Sequence, residues 1–260
     1  MTRQIVELHH VDTGGAGRPL VVLHGLFGSA DNWRSHIKRW QESRRVIAVD
    51  LRNHGKSPHQ SGMGYAAQAA DVDALLDRLA IDSCDLLGHS MGGKVAITLA
   101  RQSPERVARL IVADIAPIAY EHGHEAIFKA MRAVERQPPA DRKEADRIMS
   151  GFVETPAIRQ FLATNLIRGE NATLIWRVGL DEIEDDYAHI VAVPDGSGAY
   201  TGPTLVLRGG RSDYVGDDVL PAVESVLPEA RIETISDAGH WLHAEQPEAF
   251  QEALARFLTA

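Results

Sequence analysis

The stretch from Cys84 to Ala100, "CDLLGHSMGGKVAITLA", decides the fold. An apolar run closes at Gly88, Ser90 follows two residues later, then Gly92 and Gly93, and a helix-like pattern begins. Short, largely apolar runs of this kind suit strands of a parallel sheet covered on both faces. A serine at the strand-to-helix junction can be lifted clear of the sheet only by a sharp, strained turn. The positions around that turn must lack side chains that would clash, and Gly88 and Gly92 meet this demand.

Working outward, the same rhythm recurs on either side. "QIVELHH", "LVVLHG", "RRVIAVD" and "RLIVAD" read as strands, and "PTLVLRGG" and "ARIETIS" resume the pattern near the end. Between them, "YAAQAADVDALLDRLA" sets Val72, Leu75, Leu76 and Leu79 on one helical face, and "PEAFQEALARFL" forms a final helix. The alternation predicts an α/β fold with a mostly parallel central sheet flanked by helices. From about Tyr120 to Val193 the rhythm breaks. "HEAIFKAMRAVER", "DRKEADRIMSGFVE" and "PAIRQFLATNLI" look helical, with no strong strand among them. The expected organisation is therefore a core in two parts, residues 1–119 and 196–260, with a helical cap inserted at residues 120–195.

Composition narrows the function classes. The 260 residues carry a net charge of −9, and no Lys/Arg run offers a phosphate-binding stripe, so a nucleic-acid partner is not expected. No apolar run is long enough to span a bilayer, and the opening "MTRQIVELHHVDTG" has charges and histidines where a signal peptide needs an apolar stretch. No membrane insertion is expected, and the cytoplasm is the expected location. Cys84 is the single cysteine, which excludes intramolecular disulfides and Cys-rich zinc sites; within an apolar strand it reads as an inert core thiol.

Gly88-His89-Ser90-Met91-Gly92 fits the G-x-S-x-G nucleophile elbow, and its place between an apolar strand and a helix is the context that motif requires. A serine alcohol needs a base at neutral pH. Of the 12 histidines, His240 in "ISDAGHWLHAEQPEAF" lies after the last strand and before the last helix, at the same sheet edge as Ser90. His243 is its close competitor but sits nearer the helix. An oxyanion hole combines the N–H after the serine, that of Met91, with one from the loop after an early strand. In "LVVLHGLFGSADNW" the candidate for that second donor is Leu26.

Taken together, "LHGLFGSADNW", "DLRNHGKSPH", "GHSMGGKVA", "ADIAPIAY", "GGRSDYV" and "AGHWLHAEQP" resemble the α/β-hydrolase superfamily over nearly the whole length. Within it the chain is most similar to the small bacterial YbfF-like esterases, which carry a helical cap and act on acyl esters and thioesters. The resemblance leaves the triad acid open. In most α/β-hydrolases the acid follows the strand that here is "PTLVLRGG". Counting from Gly209 puts Ser212 in that place, and counting from Gly210 puts Asp213 there. The resembled esterases carry their acid after the preceding strand, with a serine at the later position assisting the histidine. That pattern implies Asp114 and Ser212, with Asp213 as the alternative. Tyr214, just beyond, is a candidate substrate contact.

Three other motifs are set aside. "HGKS" at residues 54–57 has Asp50 where a phosphate loop needs its first glycine. "GGAG" at residues 14–17 is not followed by a helix. His9–His10 and His122/His124 lack an accompanying carboxylate constellation and read as surface or loop histidines. "LRNHGKS" is expected to shape a loop beside the site.

The expected activity is cleavage of small-molecule carboxylic esters, or acyl thioesters, through an acyl-enzyme on a Ser-His-Asp triad, with no cofactor and no metal. The same residues would also serve an acyltransferase, a perhydrolase or a C–C hydrolase. From a different class, a ligand-binding protein built on a degenerate hydrolase is opposed by the retained serine, histidine and glycines. Cap residues Ile127, Phe128, Met131, Phe152, Phe161, Leu162 and Trp176 either line a pocket or pack the helices together.

Overall fold

A computed structural model describes residues 4–169 and 171–259. Residues 1–3 and 260 of the expected core segments, and residue 170 of the expected cap, lie outside the described residues. The strands among these are β1 (His10–Asp12), β2 (Leu20–Leu23), β3 (Val46–Val49), β4 (Cys84–His89), β5 (Val107–Ala113), β6 (Leu166–Arg168), β7 (Leu174–Trp176), β8 (Thr204–Gly209) and β9 (Ala230–Ile235). Seven of them form one sheet in the order β1-β3-β2-β4-β5-β8-β9. All its pairings are parallel except that of β1 with β3.

Every residue of β2, β3 and β4 is buried, as strands covered on both faces must be. Successive side chains point to opposite faces, so neighbours feed different cores. Val21, Leu23, Ile47, Val49 and Leu86 pack with helices Tyr65–Arg78 and Met91–Gln102. Leu20, Val22, Val46, Ala48 and Leu87 pack instead with Trp33, Ile37 and Trp40 and with Phe250, Leu254 and Phe257 of helix Pro247–Thr259. Each large apolar side chain buried in this way contributes roughly 1.5–3 kcal/mol. Cys84 lies in the first core, fully buried, and its thiol is pushed up to about 12 by that burial.

Two sequence-based expectations differ in detail. "QIVELHH" was expected to be a strand, but only His10–Asp12 pairs; Val6 and Leu8 are buried without joining the ladder. The inserted segment between β5 and β8 contains helices, as well as the short antiparallel pair β6–β7, where helical stretches with no strong strand were expected. No helix among the described residues is long and apolar enough to cross a membrane.

The inserted segment is fastened to the sheet-bearing part by polar contacts that are mostly buried. Asn165 Nδ2 donates to the Phe27 carbonyl (2.7 Å), the Gly179 N–H to the Asn53 carbonyl (2.8 Å), and Ala66 N–H to Asp195 Oδ2 (2.8 Å). Tyr65 Oη donates to the Ile190 carbonyl.

Candidate active site

Because β2, β4, β5, β8 and β9 run parallel, the segments that follow them open at one edge of the sheet, where ligands of open α/β sheets bind. That edge carries Leu26, Ser90, Asp114, Ser212 and His240.

Ser90 links β4 to helix Met91–Gln102 with φ +53° and ψ −121°, a left-handed conformation that side chains disfavour. Its N–H donates to the Ala113 carbonyl at the end of β5 (3.0 Å), which extends the ladder by one rung and pins the turn. The flanking glycines are required by clearance. A Cβ on Gly88 would collide with the Gly92 carbonyl, and one on Gly92 would lie 2.5 Å from the His24 carbonyl oxygen.

His240 meets this serine from the loop after β9. Ser90 Oγ lies 3.0 Å from His240 Nε2, and His240 Nδ1 lies 2.8 Å from Asp114 Oδ2. With the carboxylate accepting from Nδ1–H, Nε2 is left to accept the serine proton, so this geometry selects the tautomer. Asp114 is wholly buried, has φ +53°, and is satisfied on every side: Gly209 N–H donates to Oδ1 (2.9 Å) and Ser212 Oγ donates to Oδ2. Asp213 is exposed, and no hydrogen bond joins it to His240 among the described residues. The structure thus brings Asp114 and Ser212 to the histidine, and not Asp213. Tyr214 places its ring face-on against His240, with centroids 3.9 Å apart and planes at 18°.

Leu26 and Met91 border the cavity that also contains Ser90. Neither backbone N–H donates a hydrogen bond among the described residues, so both are free for an acceptor. The loop bearing Leu26 is held by Asp50 and by the "LRNHGKS" stretch that follows it. The Phe27 N–H donates to His54 Nε2 (3.1 Å), the Ala30 N–H to Asp50 Oδ1 (2.7 Å), and the Leu51 N–H to His24 Nε2 (3.0 Å). Burial pushes His54 down to about 3, which keeps its Nε2 an acceptor.

Two histidines of this region had no role in the sequence-based expectation. His89, inside the elbow itself, donates from Nε2 to the His240 carbonyl (2.8 Å) and fixes the loop that carries His240. Burial lowers it to about 3, so this contact is with a neutral ring. His124, read as a surface or loop residue, is partly buried, hydrogen-bonds Tyr187 Oη and lines the cavity, because the inserted helices fold over it. The available signal was its place just before an amphipathic helix, Glu125–Arg136.

The cavity at Ser90 has a volume of about 840 Å³ and mostly apolar walls that include Ile115, Ile127, Ile158 and Phe161. Of the inserted segment's named apolar residues, Ile127 and Phe161 line it, Phe128, Met131 and Leu162 are buried in the core, and Phe152 is exposed. Trp176 donates from Nε1 to the Met131 carbonyl (2.9 Å) and lies in a separate groove.

One cation borders the cavity. Lys94, one turn beyond Ser90 and 1% exposed, donates from Nζ to the Ala192 carbonyl (2.6 Å) and faces the Tyr120 ring at 4.7 Å. Burial pushes its ammonium down to about 7. The unfolded chain, with lysine near its usual value of about 10.4, holds a proton between those limits that the native state does not, so native stability rises with pH across that window. Lys94→Met is expected to remove this slope. Its thermal midpoint should exceed that of the parent most at pH 7 and least near pH 10. Parallel melting curves for the two proteins at every pH would contradict this.

Comparison with known proteins places these features in context. The alpha/beta hydrolase fold profile matches residues 18–247. The mouse (Mus musculus) sn-1-specific diacylglycerol lipase ABHD11 is 42% identical over 254 residues, covering 94% of this chain and 82% of the lipase. Esterase YbfF of Escherichia coli K12 is 37% identical over 244 residues, covering 92% of each. Among solved structures, a marine microorganism esterase superposes with a TM-score of 0.92 at 35% identity, covering 97% of this chain and 99% of that one.

Proposed function

The chain belongs to the α/β-hydrolase family, and from that premise we propose that it is a serine hydrolase cleaving carboxylic esters, acyl thioesters among them, through an acyl-enzyme. The observation that carries this reading is the unbroken relay Ser90 Oγ–His240 Nε2 (3.0 Å) and His240 Nδ1–Asp114 Oδ2 (2.8 Å). His240 takes the Ser90 proton as Oγ attacks the carbonyl carbon. The free N–H groups of Leu26 and Met91 receive the oxyanion, each such donor being worth about 10²–10³ in turnover. Met91 opens a helix, whose N-terminal dipole favours the same negative charge. His240 then protonates the leaving alcohol or thiol, and the acyl group stays on Oγ. Water enters, gives a proton to His240 and its oxygen to the acyl carbon; the bond from that carbon to Oγ then breaks, His240 returns the proton to Ser90, and the carboxylic acid departs. No cofactor is needed for any of these steps.

Asp114 holds the tautomer and offsets the imidazolium charge, and Ser212 fixes the carboxylate that does so. Residues 120–195 act as a cap whose apolar face, with Ile127 and Phe161, receives the acyl chain. Tyr214 borders the same space with its ring. An apolar cavity of about 840 Å³ suits a long acyl chain, in keeping with relatives named as esterases and a diacylglycerol lipase.

A fluorophosphonate probe tests the reading directly. Its phosphonyl group is expected on Ser90 as fluoride leaves, read as added mass on the peptide that contains residue 90. Folded protein that takes up no label, or takes it on another residue, would overturn the assignment.

A further inference from the structure

We infer that Tyr214 is a positioning residue that acts through His240: its ring face stabilises the imidazolium formed when the histidine takes the serine proton. The inference deepens the hydrolase reading and rests on it. A π face carries negative charge density, so an aromatic ring parallel to an imidazole favours the cation over the neutral ring. The pair meets that condition, with centroids 3.9 Å apart and an interplanar angle of 18°.

The ring is held there from behind. The Tyr214 carbonyl accepts from Tyr120 Oη (2.6 Å), and that same oxygen accepts from the Ala116 N–H (2.8 Å). The Tyr214 N–H donates to Ser212 Oγ (3.3 Å). These bonds tie Tyr214 to the segments that supply Asp114 and Ser212, so ring, carboxylate and serine are held in one hydrogen-bonded network. The phenol oxygen makes no hydrogen bond among the described residues, which leaves the face of the ring as its contribution.

The titratable groups facing His240 are few. Asp114 approaches from the end of β5, His89 from the elbow with its ring 4.9 Å away, His124 from the inserted segment, and His243 from the following turn. Burial lowers all three histidines and favours their neutral forms, so none of them presents a charge to His240.

The test is a pH profile of kcat/KM for hydrolysis of an aryl ester by the parent, Tyr214→Phe and Tyr214→Leu. Leucine keeps bulk but has no π face. It is expected to lower the plateau about three- to thirtyfold and to move the acid limb to lower pH by about 0.5–1.5 units, because the free enzyme's imidazolium is no longer favoured. Phenylalanine is expected to keep both plateau and limb. A leucine variant with a reduced plateau and an unmoved limb overturns the inference, as that is the signature of lost packing. So does a phenylalanine variant whose plateau falls more than about threefold below the parent, as that is the signature of a hydroxyl contact to substrate; this arm is read against the parent alone and decides even if the leucine protein does not fold. Failure of the hydrolase reading has a separate sign, namely undiminished turnover in His240→Ala.

Discussion

Replacing Ser90 by alanine is expected to lower kcat for ester hydrolysis by about 10⁶-fold, to the level that oxyanion binding and substrate positioning sustain without a nucleophile. Only Oγ is removed. The backbone turn is pinned by the Ser90 N–H to the Ala113 carbonyl and by the glycine clearances, neither of which involves the hydroxyl, so the fold should survive. Single-turnover measurements with an aryl ester should also lose the initial burst of alcohol, since no acyl-enzyme can form. An alanine variant that keeps even a hundredth of the parent rate, with its burst, would mean that another group is the nucleophile.

The second large effect belongs to Asp114. Asp114→Asn is expected to reduce kcat by about 10⁴-fold, because an amide neither enforces the Nδ1–H tautomer of His240 nor offsets its positive charge. The partners that fix the carboxylate, Gly209 N–H and Ser212 Oγ, both donate, and an asparagine can satisfy only part of that set. Asp213→Asn is the matched control. That side chain is exposed and bonds nothing in the relay, so its loss should change turnover by no more than about twofold. Comparable losses in the two purified variants would show that the acid has been assigned to the wrong strand.

The elbow was legible from the sequence because its requirements are local. A strand, a left-handed serine and two positions without side chains lie within nine consecutive residues, Cys84–Gly92. His240 could be placed from chain order, since a loop between the last strand and the last helix of a parallel sheet must open at the same edge. Asp114 could not be separated from Asp213 by local pattern. The distinction depends on β5 and β8 ending side by side, so that the carboxylate after one receives the Gly209 N–H of the other. The same limit hid His89, whose partner lies 151 residues away in the chain. The β6–β7 pair escaped for another reason. Its strands are three residues long, and Ile167 and Ile175 face outward, so the alternation that marks a half-buried strand is missing.

Ser90 and Asp114 share one further property: both hold φ near +53° without being glycine. Such residues each cost about 1–3 kcal/mol, a sizeable share of the roughly 5–15 kcal/mol that keeps a domain folded. Glycine at either position would relax the backbone and silence the chemistry at the same stroke. Heat tolerance and turnover are therefore set against each other at these two positions, and a more robust version of this protein has to find its gains in the outer helices and the inserted segment.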